Sequence, residues 1–418
     1  MNVIILIAFC IGYALIALES KVKINKAAIA LFTGVFLWST YILYRSGSEE
    51  VVIELIEHIG SISQIIFFLI GAMTIVELID SYNGFEVITK QIKTNNKRML
   101  LLILSIITFF LSSVLDNLTT TIVMVTLTRK LIQEKNERLF FIGMIVIAAN
   151  SGGAWTPIGD VTTTMLWIGG QITTVNIMQK IFLPSLVSMI IPLSLISLMI
   201  KGNFQRMADP SKKSIILNVE KNIVFFTGIG ALIFVPVFKS ITHLPPFMGI
   251  LIGLSVLWII TELLNKDKAH DEKITVTNAL RKIDIPSILF FLGILLAVAA
   301  LGSTGLLSSL ANTLTTSVGD LKIIAILLGI LSAIIDNVPL VAAAMGMYDL
   351  QTFPTDHYFW ELIAYCAGTG GSILIIGSAA GVAAMGIEKI DFFWYLKKIS
   401  LVALIGYLSG AILYILML

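Results

Sequence analysis

Two similar stretches occur in this chain at an offset of 220 residues: Leu111-Ser112-Ser113-Val114-Leu115-Asp116-Asn117 and Leu331-Ser332-Ala333-Ile334-Ile335-Asp336-Asn337. Each lies in the middle of a long apolar run and places an Asp-Asn pair there. Other segments match at nearly the same offset: Phe67-Phe68-Leu69 with Phe290-Phe291-Leu292, and Ser151-Gly152-Gly153 with Thr369-Gly370-Gly371. Three matches at nearly one offset predict an internal repeat.

The composition predicts an integral membrane protein. Of the 418 residues, 57% are apolar and 13% are charged, and the mean hydropathy is +0.95. A soluble protein has about a quarter of its residues charged, so this chain has too little polar surface to cover a soluble helical core. The run from Val3 to Ala17 has neither a basic segment before it nor a cleavage site after it. We therefore interpret it as a first spanning helix rather than a signal peptide.

Ten apolar runs are predicted to be transmembrane helices. They lie near residues 2–18, 26–44, 59–80, 139–170, 176–200, 221–239, 246–264, 285–306, 358–388 and 392–417. Two other runs, 99–132 and 321–348, are each interrupted by the Asp-Asn pair. The arms of the first would be ~25 Å and ~22 Å long as helices, too short to cross ~30 Å of hydrocarbon comfortably. We therefore predict that both runs are re-entrant hairpins.

The distribution of basic residues predicts the sidedness. With ten spans and two hairpins, one side of the membrane holds 24 of the 28 basic residues, and the other holds Arg45, Lys180, Lys239 and Lys322. By the positive-inside rule the richer side is cytoplasmic. Both termini are then outside. The first hairpin enters from the cytoplasm and the second from outside.

The spans divide into two halves, each with five crossings and one hairpin. Because five is odd, the second half must lie upside down relative to the first. The predicted boundaries are 1–201 for the first repeat, 202–220 for a polar cytoplasmic linker and 221–418 for the second repeat. Inverted repeats with interrupted helices are typical of secondary transporters. The predicted fold class is an all-α polytopic membrane protein.

Glycine and proline interrupt one predicted span in each half. The run 139–170 contains Gly152-Gly153 and Pro157, and the run 358–388 contains Gly370-Gly371. Such residues unwind a helix. Unwound backbone at membrane depth is tolerated only where it is buried in protein or lines a cavity. We therefore expect each hairpin tip to meet the unwound loop of its half near the midplane.

Few acidic residues lie far from both predicted interfaces: Asp116, Asp160 and Asp336, with Glu77 and Asp80 as weaker candidates. A carboxylate at the bilayer centre costs about 2.5–3.5 kcal/mol, so it is a candidate functional group. The three aspartates lie at helix breaks, and no Lys or Arg lies inside the predicted spans to neutralise them. Unpaired carboxylates in a dry site take up a proton or bind a cation. Alternatively, the aspartates only cap half-helices, and Glu77 marks a solvated helix end.

Neutral oxygen ligands accompany these carboxylates in both halves. The candidates are Asn117, Thr119, Thr120, Asn150, Ser151, Thr156, Thr162 and Thr163, and in the second half Ser332, Asn337, Thr369, Ser372 and Ser378. Alternatively, Ser and Thr hydroxyls in membrane helices bond to the i−4 carbonyl or allow close packing. The predicted Na⁺ site consists of Asp116, Asn117, Asn150 and Asp160, where protons compete for the same carboxylates.

Three motifs resemble those of the NhaD-type sodium/proton antiporters of the ion transporter superfamily: residues 71–80 (GAMTIVELID), 116–120 (DNLTT) and 150–163 (NSGGAWTPIGDVTT). The resemblance covers nearly the whole chain. It implies exchange of Na⁺ or Li⁺ for H⁺ in the inner membrane of a prokaryote. It also implies a homodimer of scaffold domains, with the hairpins and broken helices as a moving transport domain. Members are expected to have no cofactor besides the transported ions and no nucleic-acid partner.

Two other functions compete with antiport. A dicarboxylate or oxyanion carrier of the same superfamily would be expected to have neutral Ser-Asn-Thr tips, whereas these tips are Asp-Asn. An anionic substrate would also meet like charge in a low dielectric. An intramembrane aspartyl protease would be expected to have a Gly-x-Gly-Asp run, but Asp336 follows Ile334-Ile335. We therefore predict a transporter rather than an enzyme.

Overall fold

The computed structural model describes residues 1–17, 19–45, 47–89, 94–200, 202–203, 217–269, 273–334 and 336–418. Within these ranges the regular structure is helical, apart from one isolated antiparallel bridge between Asn96 and Asn203. This confirms the predicted all-α class. Most of the predicted linker, residues 204–216, lies outside the described ranges.

The helices are given in chain order. The first half contains α1 Asn2–Ala17, α2 Glu19–Val22, α3 Lys26–Tyr44, α4 Glu49–Ser81, α5 Glu86–Thr89, α6 Lys97–Ser112, α7 Asn117–Leu131, α8 Lys135–Gly153, α9 Val161–Ile168 and α10 Thr174–Met199. The second half contains α11 Asn218–Thr242, α12 Pro246–Leu264, α13 Val276–Lys282, α14 Ile285–Ser303, α15 Leu306–Val318, α16 Leu321–Leu331, α17 Asn337–Met347, α18 Tyr358–Gly370, α19 Ala379–Glu388, α20 Phe392–Lys398 and α21 Ser400–Met417.

Seven described helices are continuous, long and apolar enough to cross a membrane: α3, α4, α10, α11, α12, α14 and α21. The other three predicted spans are α1, which has 16 residues, and the interrupted pairs α8–α9 and α18–α19. Helix α4 begins at Glu49 rather than near residue 59, so it has 33 residues. Its added first turns are acidic, and hydrophobicity alone therefore did not predict them. The protein is a multi-pass membrane protein.

Helix α15 was not predicted. It lies between Gly305 and Gly319, both of which have positive φ angles of about 75° that favour glycine. A bend of 115° separates it from α16. Its polar face carries Ser308, Asn312 and Thr316, so its apolar content falls below that of a spanning run.

The predicted helix breaks are confirmed at all four places. Helix α6 ends at Ser112 and α7 begins at Asn117, and α16 and α17 are separated by residues 332–336. Residues 154–160 separate α8 from α9, and residues 371–378 separate α18 from α19. Whether each hairpin enters and leaves on one side of a membrane stays a prediction, as does the inverted orientation of the halves.

Equivalent positions of the two halves make equivalent contacts. Ser112 Oγ donates to the Ala149 carbonyl at 2.6 Å, and Ser332 Oγ donates to the Ala367 carbonyl at 3.0 Å. A Cβ atom added at Gly152 would lie 2.2 Å from the Phe109 carbonyl oxygen. Such contacts require glycine, because α6 and α16 each pack backbone-to-backbone against the neighbouring broken helix.

Glycine also brings α3 against α14, a pair that carries part of the cavity wall described below. A Cβ atom at Gly34 would lie 2.6 Å from the Gly293 carbonyl oxygen, and one at Gly293 would lie 2.4 Å from the Leu31 nitrogen. Trp38 Nε1 donates to the Leu296 carbonyl at 2.9 Å along the same contact. The two helices therefore form a closely packed unit.

A buried carboxylate, that of Glu388, joins α7, α8 and α19. Glu388, at the end of α19, is paired with Arg129 of α7 at 3.0 Å and with Arg138 of α8 at 2.9 Å. Glu388 is buried, so removing one partner would leave a poorly compensated charge. This ion-pair cluster ties the ends of α7, α8 and α19 together.

The glycine contacts lead to a stability prediction. Gly370→Ala should destabilise the protein by about 1–3 kcal/mol, because a Cβ there would lie 2.0 Å from the Gly329 carbonyl oxygen, and overpacking costs this much. Gly386→Ala on α19 is the matched control, because its Cβ meets no atom within 4 Å. Thermal unfolding in detergent, followed by size-exclusion chromatography, measures both. Equal stability of the two variants would contradict the close approach of α16 and α18.

Candidate cation-binding site

Asp160 occupies the centre of the candidate site. It precedes α9 and is 1% exposed. Its Oδ1 accepts hydrogen bonds from the backbone nitrogen of Thr162 at 2.9 Å and from Thr162 Oγ1 at 2.8 Å. This is a helix N-cap, which satisfies backbone N–H groups that the break exposes. The other carboxylate oxygen is left to interact with neighbouring segments.

The first hairpin reaches Asp160 through Asn117. Asn117 Nδ2 donates to Asp160 Oδ2 at 2.6 Å and to Asn150 Oδ1 at 3.0 Å. Asn117 begins α7, and Asn150 lies in the last turn of α8, so hairpin tip and broken helix meet as expected. The amide group of Asn117 thus lies between two oxygen atoms that could hold a cation.

The second half contributes to the same site. Asn337, at the start of α17, places Nδ2 at 3.4 Å from Asp160 Oδ1 and 3.5 Å from Oδ2. Asn150 Nδ2 donates to Ser378 Oγ at 2.9 Å, and Ser378 accepts from the Gly381 nitrogen as the N-cap of α19. All four half-helix N-termini therefore converge on one group of buried polar side chains.

The hydrogen-bond donors and helix N-termini around Asp160 stabilise a negative charge there, whereas its burial opposes one. The N-termini of helices carry partial positive charge. Within the described ranges, Asp160 has only amide and hydroxyl donors, and no ion pair with Lys or Arg connects to it. A buried carboxylate without a fixed counter-ion can bind a mobile cation or a proton.

Asp116 borders a cavity beside this group. Asp116 accepts from the Thr119 nitrogen at 2.7 Å and from Thr119 Oγ1 at 2.6 Å. The cavity has a volume of about 50 Å³, and its walls come from the first hairpin tip, from α9 and from α4, α11, α14 and α19. A single water needs about 10–15 Å³ of volume that is open to its centre, so the cavity has room for a few waters or a partly hydrated ion. Asn117 also lines the cavity and connects Asp116 to Asp160.

Most of the other predicted hydroxyl ligands bond to the protein itself, as the alternative interpretation expects. Ser151 Oγ accepts from Ser188 Oγ at 2.8 Å. The others donate to backbone carbonyls: Thr156 to Ser113, Thr163 to Gly153 and Asp160, Ser332 to Ala367, Thr369 to Tyr365, and Ser372 to Thr369. These side chains hold the breaks in shape.

The structure bears on two expectations about charged residues. Within the described ranges no contact joins Glu77 to the other candidate site residues, which favours the alternative of a solvated helix end. Its Oε1 lies 3.0 Å from Lys282 Nζ and accepts from Ser81 at the end of α4, because the last turns of α4 extend beyond the apolar segment. The statement that no basic residue neutralises the aspartates is wrong for Asp336, whose Oδ2 lies 3.3 Å from Lys26 Nζ.

Sequence reasoning also missed a contact near the tip of the second hairpin. Lys26, the first residue of the predicted span 26–44, was counted among the basic residues of the cytoplasmic side, but its side chain reaches Asp336. The hydroxyls of Thr120 and Thr121 are buried and have no partner within the described part of the chain. Thr120 was predicted as an oxygen ligand from the 116–120 motif and stays a candidate, whereas Thr121 was not predicted.

This fold and site define a class of protein: a polytopic membrane protein with a buried carboxylate between interrupted helices, an arrangement typical of secondary transporters. A sequence profile described as "Citrate transporter" matches residues 13–363. The chain is 51% identical to sodium/proton antiporter 1 of Arabidopsis thaliana over 99% of this chain and 72% of that protein. It is 48% identical to sodium/proton antiporter 2 of the same plant over 97% of each. It is 29% identical to the Na⁺/H⁺ antiporter NhaD of Vibrio cholerae over 99% of this chain and 91% of that protein.

The chain therefore belongs to the citrate transporter family and, within it, to the NhaD-type sodium/proton antiporters. This confirms the resemblance of the three motifs. The comparisons give no support to the protease alternative. Two of these relatives are plant proteins, so the prediction of a prokaryotic source is now doubtful.

The geometry predicts the effect of one substitution. Asp160→Asn should abolish Na⁺ binding while the fold is kept, because Asn can still accept from Thr162 but carries no charge. Asp391→Asn is the matched control, since Asp391 caps the exposed helix α20 by accepting from the Trp394 nitrogen at 2.8 Å. Thermal stabilisation by added Na⁺ measures binding, because a ligand that binds only the folded state raises its stability. Undiminished stabilisation of Asp160→Asn by Na⁺ would exclude Asp160 as a ligand.

Proposed function

We propose that this protein exchanges Na⁺ or Li⁺ for H⁺ across the membrane by alternating access. The observation that carries the proposal is the buried Asp160, which has no fixed counter-ion within the described ranges and lies where four half-helices meet. The family to which this protein belongs supports the same function. The printed names of three relatives describe sodium/proton or Na⁺/H⁺ antiporters.

The position of the cation follows from the hydrogen bonds of Asn117. Its Nδ2 bridges Asp160 Oδ2 and Asn150 Oδ1, so it occupies the place that a cation would take between the two oxygens. When Na⁺ enters, the Asn117 side chain turns and presents its own amide oxygen to the ion. Asp160, Asn150 and Asn117 then supply three hard oxygen ligands. The buried Thr120 hydroxyl, which lies one turn after Asn117 in α7 and has no partner within the described residues, is the candidate for a fourth.

Competition between Na⁺ and H⁺ couples the two fluxes. Both bind to the same carboxylate oxygens, so a proton that arrives at Asp160 displaces Na⁺. The cavity beside Asp116 provides space next to Asn117, from which an ion can pass to Asp160. Asp116 serves as the first carboxylate on this route. Motion of the half-helices against α4, α11 and α14 then changes the side that has access.

A dicarboxylate or oxyanion carrier is the second candidate, because the matching family profile is described as "Citrate transporter". Asp160 argues against it, since a carboxylate substrate at this site would meet like charge in a low dielectric. Asn117, Asn337 and the helix N-termini could hold an anion only if Asp160 were neutral. Transport assays with Na⁺ and with citrate separate the two candidates.

The transport prediction uses everted membrane vesicles that contain a quenched pH-sensitive dye. Adding Na⁺ or Li⁺ should dequench the dye, whereas K⁺ and dicarboxylates should not. Binding calorimetry in buffers of different ionisation enthalpy should show proton release on Na⁺ binding. The apparent Na⁺ affinity should weaken as the pH falls, by up to about tenfold per pH unit for each displaced proton. Na⁺ binding without proton release or pH dependence would instead indicate a sodium-coupled symporter.

The proposed orientation places both termini outside, and it is tested by cysteine labelling. The native Cys10 and Cys366 are first replaced. Glu50→Cys, near the exposed start of α4, should react with an impermeant thiol reagent from outside. Ala269→Cys, in the exposed connection after α12, should react only from inside. The opposite pattern would reverse the proposed orientation. The proposed homodimer is tested separately by the mass of the protein in detergent or nanodiscs.

A further inference from the structure

One cation inside the protein is not used by the mechanism above. Lys26 begins α3, and its Nζ lies 3.3 Å from Asp336 Oδ2. The same ammonium lies 4.3 Å from the centre of the Phe290 ring on α14. The Lys26 and Asp336 side chains are 25% and 17% exposed. An ion pair that is largely shielded from water is screened less by salt than a surface pair.

Within the described ranges, the other two aspartates at helix breaks have no such partner. Asp116 is the equivalent of Asp336 at an offset of 220 residues, and it accepts hydrogen bonds from Thr119. Within the described part of the chain, neither Asp116 nor Asp160 forms an ion pair with a lysine or arginine. The two halves thus share the capping aspartate but differ in its charge balance.

The ion pair is also close to the candidate Na⁺ ligand. Asp336 precedes Asn337, whose Nδ2 lies 3.4 Å from Asp160 Oδ1. Charge at the N-terminus of α17 therefore acts on Asp160 through a short, water-poor path, where electrostatic interactions are stronger than in water. A change of one charge at Lys26 or Asp336 should therefore change the affinity of Asp160 for a cation.

We propose that the Lys26 ammonium is a resident cation of the second half-site. It balances the charge of Asp336 throughout the cycle, so that Asp336 takes up neither Na⁺ nor a transported proton. Ion exchange is thereby confined to Asp160 and Asp116, and Lys26 determines the number of charges moved per cycle. This inference depends on the proposed antiport for the identity of the transported ions.

Three variants separate the charges of the pair. Lys26→Met leaves Asp336 as an unpaired carboxylate, which takes up one additional cation or proton when the site is loaded. Asp336→Asn leaves the Lys26 ammonium unpaired near Asp160, where it repels Na⁺. The double variant Lys26→Met/Asp336→Asn removes both charges and leaves the half-site neutral again, as in the wild type.

The experiment uses the full-length protein in proteoliposomes. The membrane potential at which Na⁺ flux reverses, at fixed Na⁺ and pH gradients, gives the ratio of charges exchanged. Lys26→Met should shift this ratio, and the double variant should restore it. Asp336→Asn should weaken Na⁺ binding about tenfold through like-charge repulsion, and the double variant should bind within about twofold of wild type.

Lys239→Met is the matched control. Lys239 Nζ also lies 4.3 Å from an aromatic ring centre, that of Trp167, but it donates to the Trp167 carbonyl at 2.7 Å rather than to a carboxylate. Its removal should leave the reversal ratio unchanged. Lys26→Arg, which keeps the charge, should also keep the ratio.

Several outcomes would overturn the inference. An unchanged ratio in Lys26→Met would show that Lys26 only anchors the hairpin. If Lys26→Met does not fold, the comparison of Asp336→Asn with the double variant decides, and equal Na⁺ affinity of these two would contradict the inference. Absence of Na⁺ transport by the wild type would instead contradict the proposed function.

Discussion

Backbone groups exposed at a helix break inside a membrane must find partners within the protein, because hydrocarbon offers none. In this chain Asp116, Asp160, Asp336 and Ser378 accept hydrogen bonds from the first backbone nitrogens of α7, α9, α17 and α19. The four polar caps therefore make the breaks possible. Because the breaks face one another, the caps also form the candidate ion site, so stability and function depend on the same side chains. Three of the four caps are carboxylates, and a cation can balance their negative charge.

The two halves have the same helix packing contacts but different charge distributions. The glycine contacts and the Ser112 and Ser332 hydrogen bonds recur at offsets of 220 and 218 residues. By contrast, Asp160 corresponds to Ser378, and Asn150 corresponds to Gly368. A Cβ at Gly368 would lie 3.1 Å from the Ala154 Cβ and 3.9 Å from Asp160 Oδ2, so the second half has no side chain where the first half places an amide, and the 154–160 segment packs there instead. A symmetric frame with one central carboxylate produces a single asymmetric site.

Much of this architecture could be predicted from the sequence. The length of an apolar run predicts a span, and Gly, Pro or Asp inside such a run predicts a break. The predicted contact between Asn117 and the 150–160 loop is of this kind. The acidic start of α4 and the polar helix α15 were missed, since neither has the composition of a spanning run. The Lys26–Asp336 pair was also missed, because it joins residues 310 apart and no local pattern encodes that contact. For Glu77 the sequence left a proton path and a solvated helix end open, because a position in the chain does not give the depth of a side chain in the membrane.

The distribution of polar contacts indicates which parts can move on the proposed mechanism. Ion pairs of Glu388 tie α7, α8 and α19 together, and backbone contacts without side chains fix α6 to α8 and α16 to α18. Across the cavity beside Asp116, α4 and α11 present apolar side chains, and α14 adds Ser287 and Phe291. An apolar surface can slide without breaking hydrogen bonds. Lys26 with Asp336 and Lys239 with the Trp167 carbonyl are polar contacts that cross between α3 or α11 and the half-helices. On the proposed mechanism, Lys239 must follow α9 or release the Trp167 carbonyl, whereas Lys26 follows α17 and keeps its pair with Asp336.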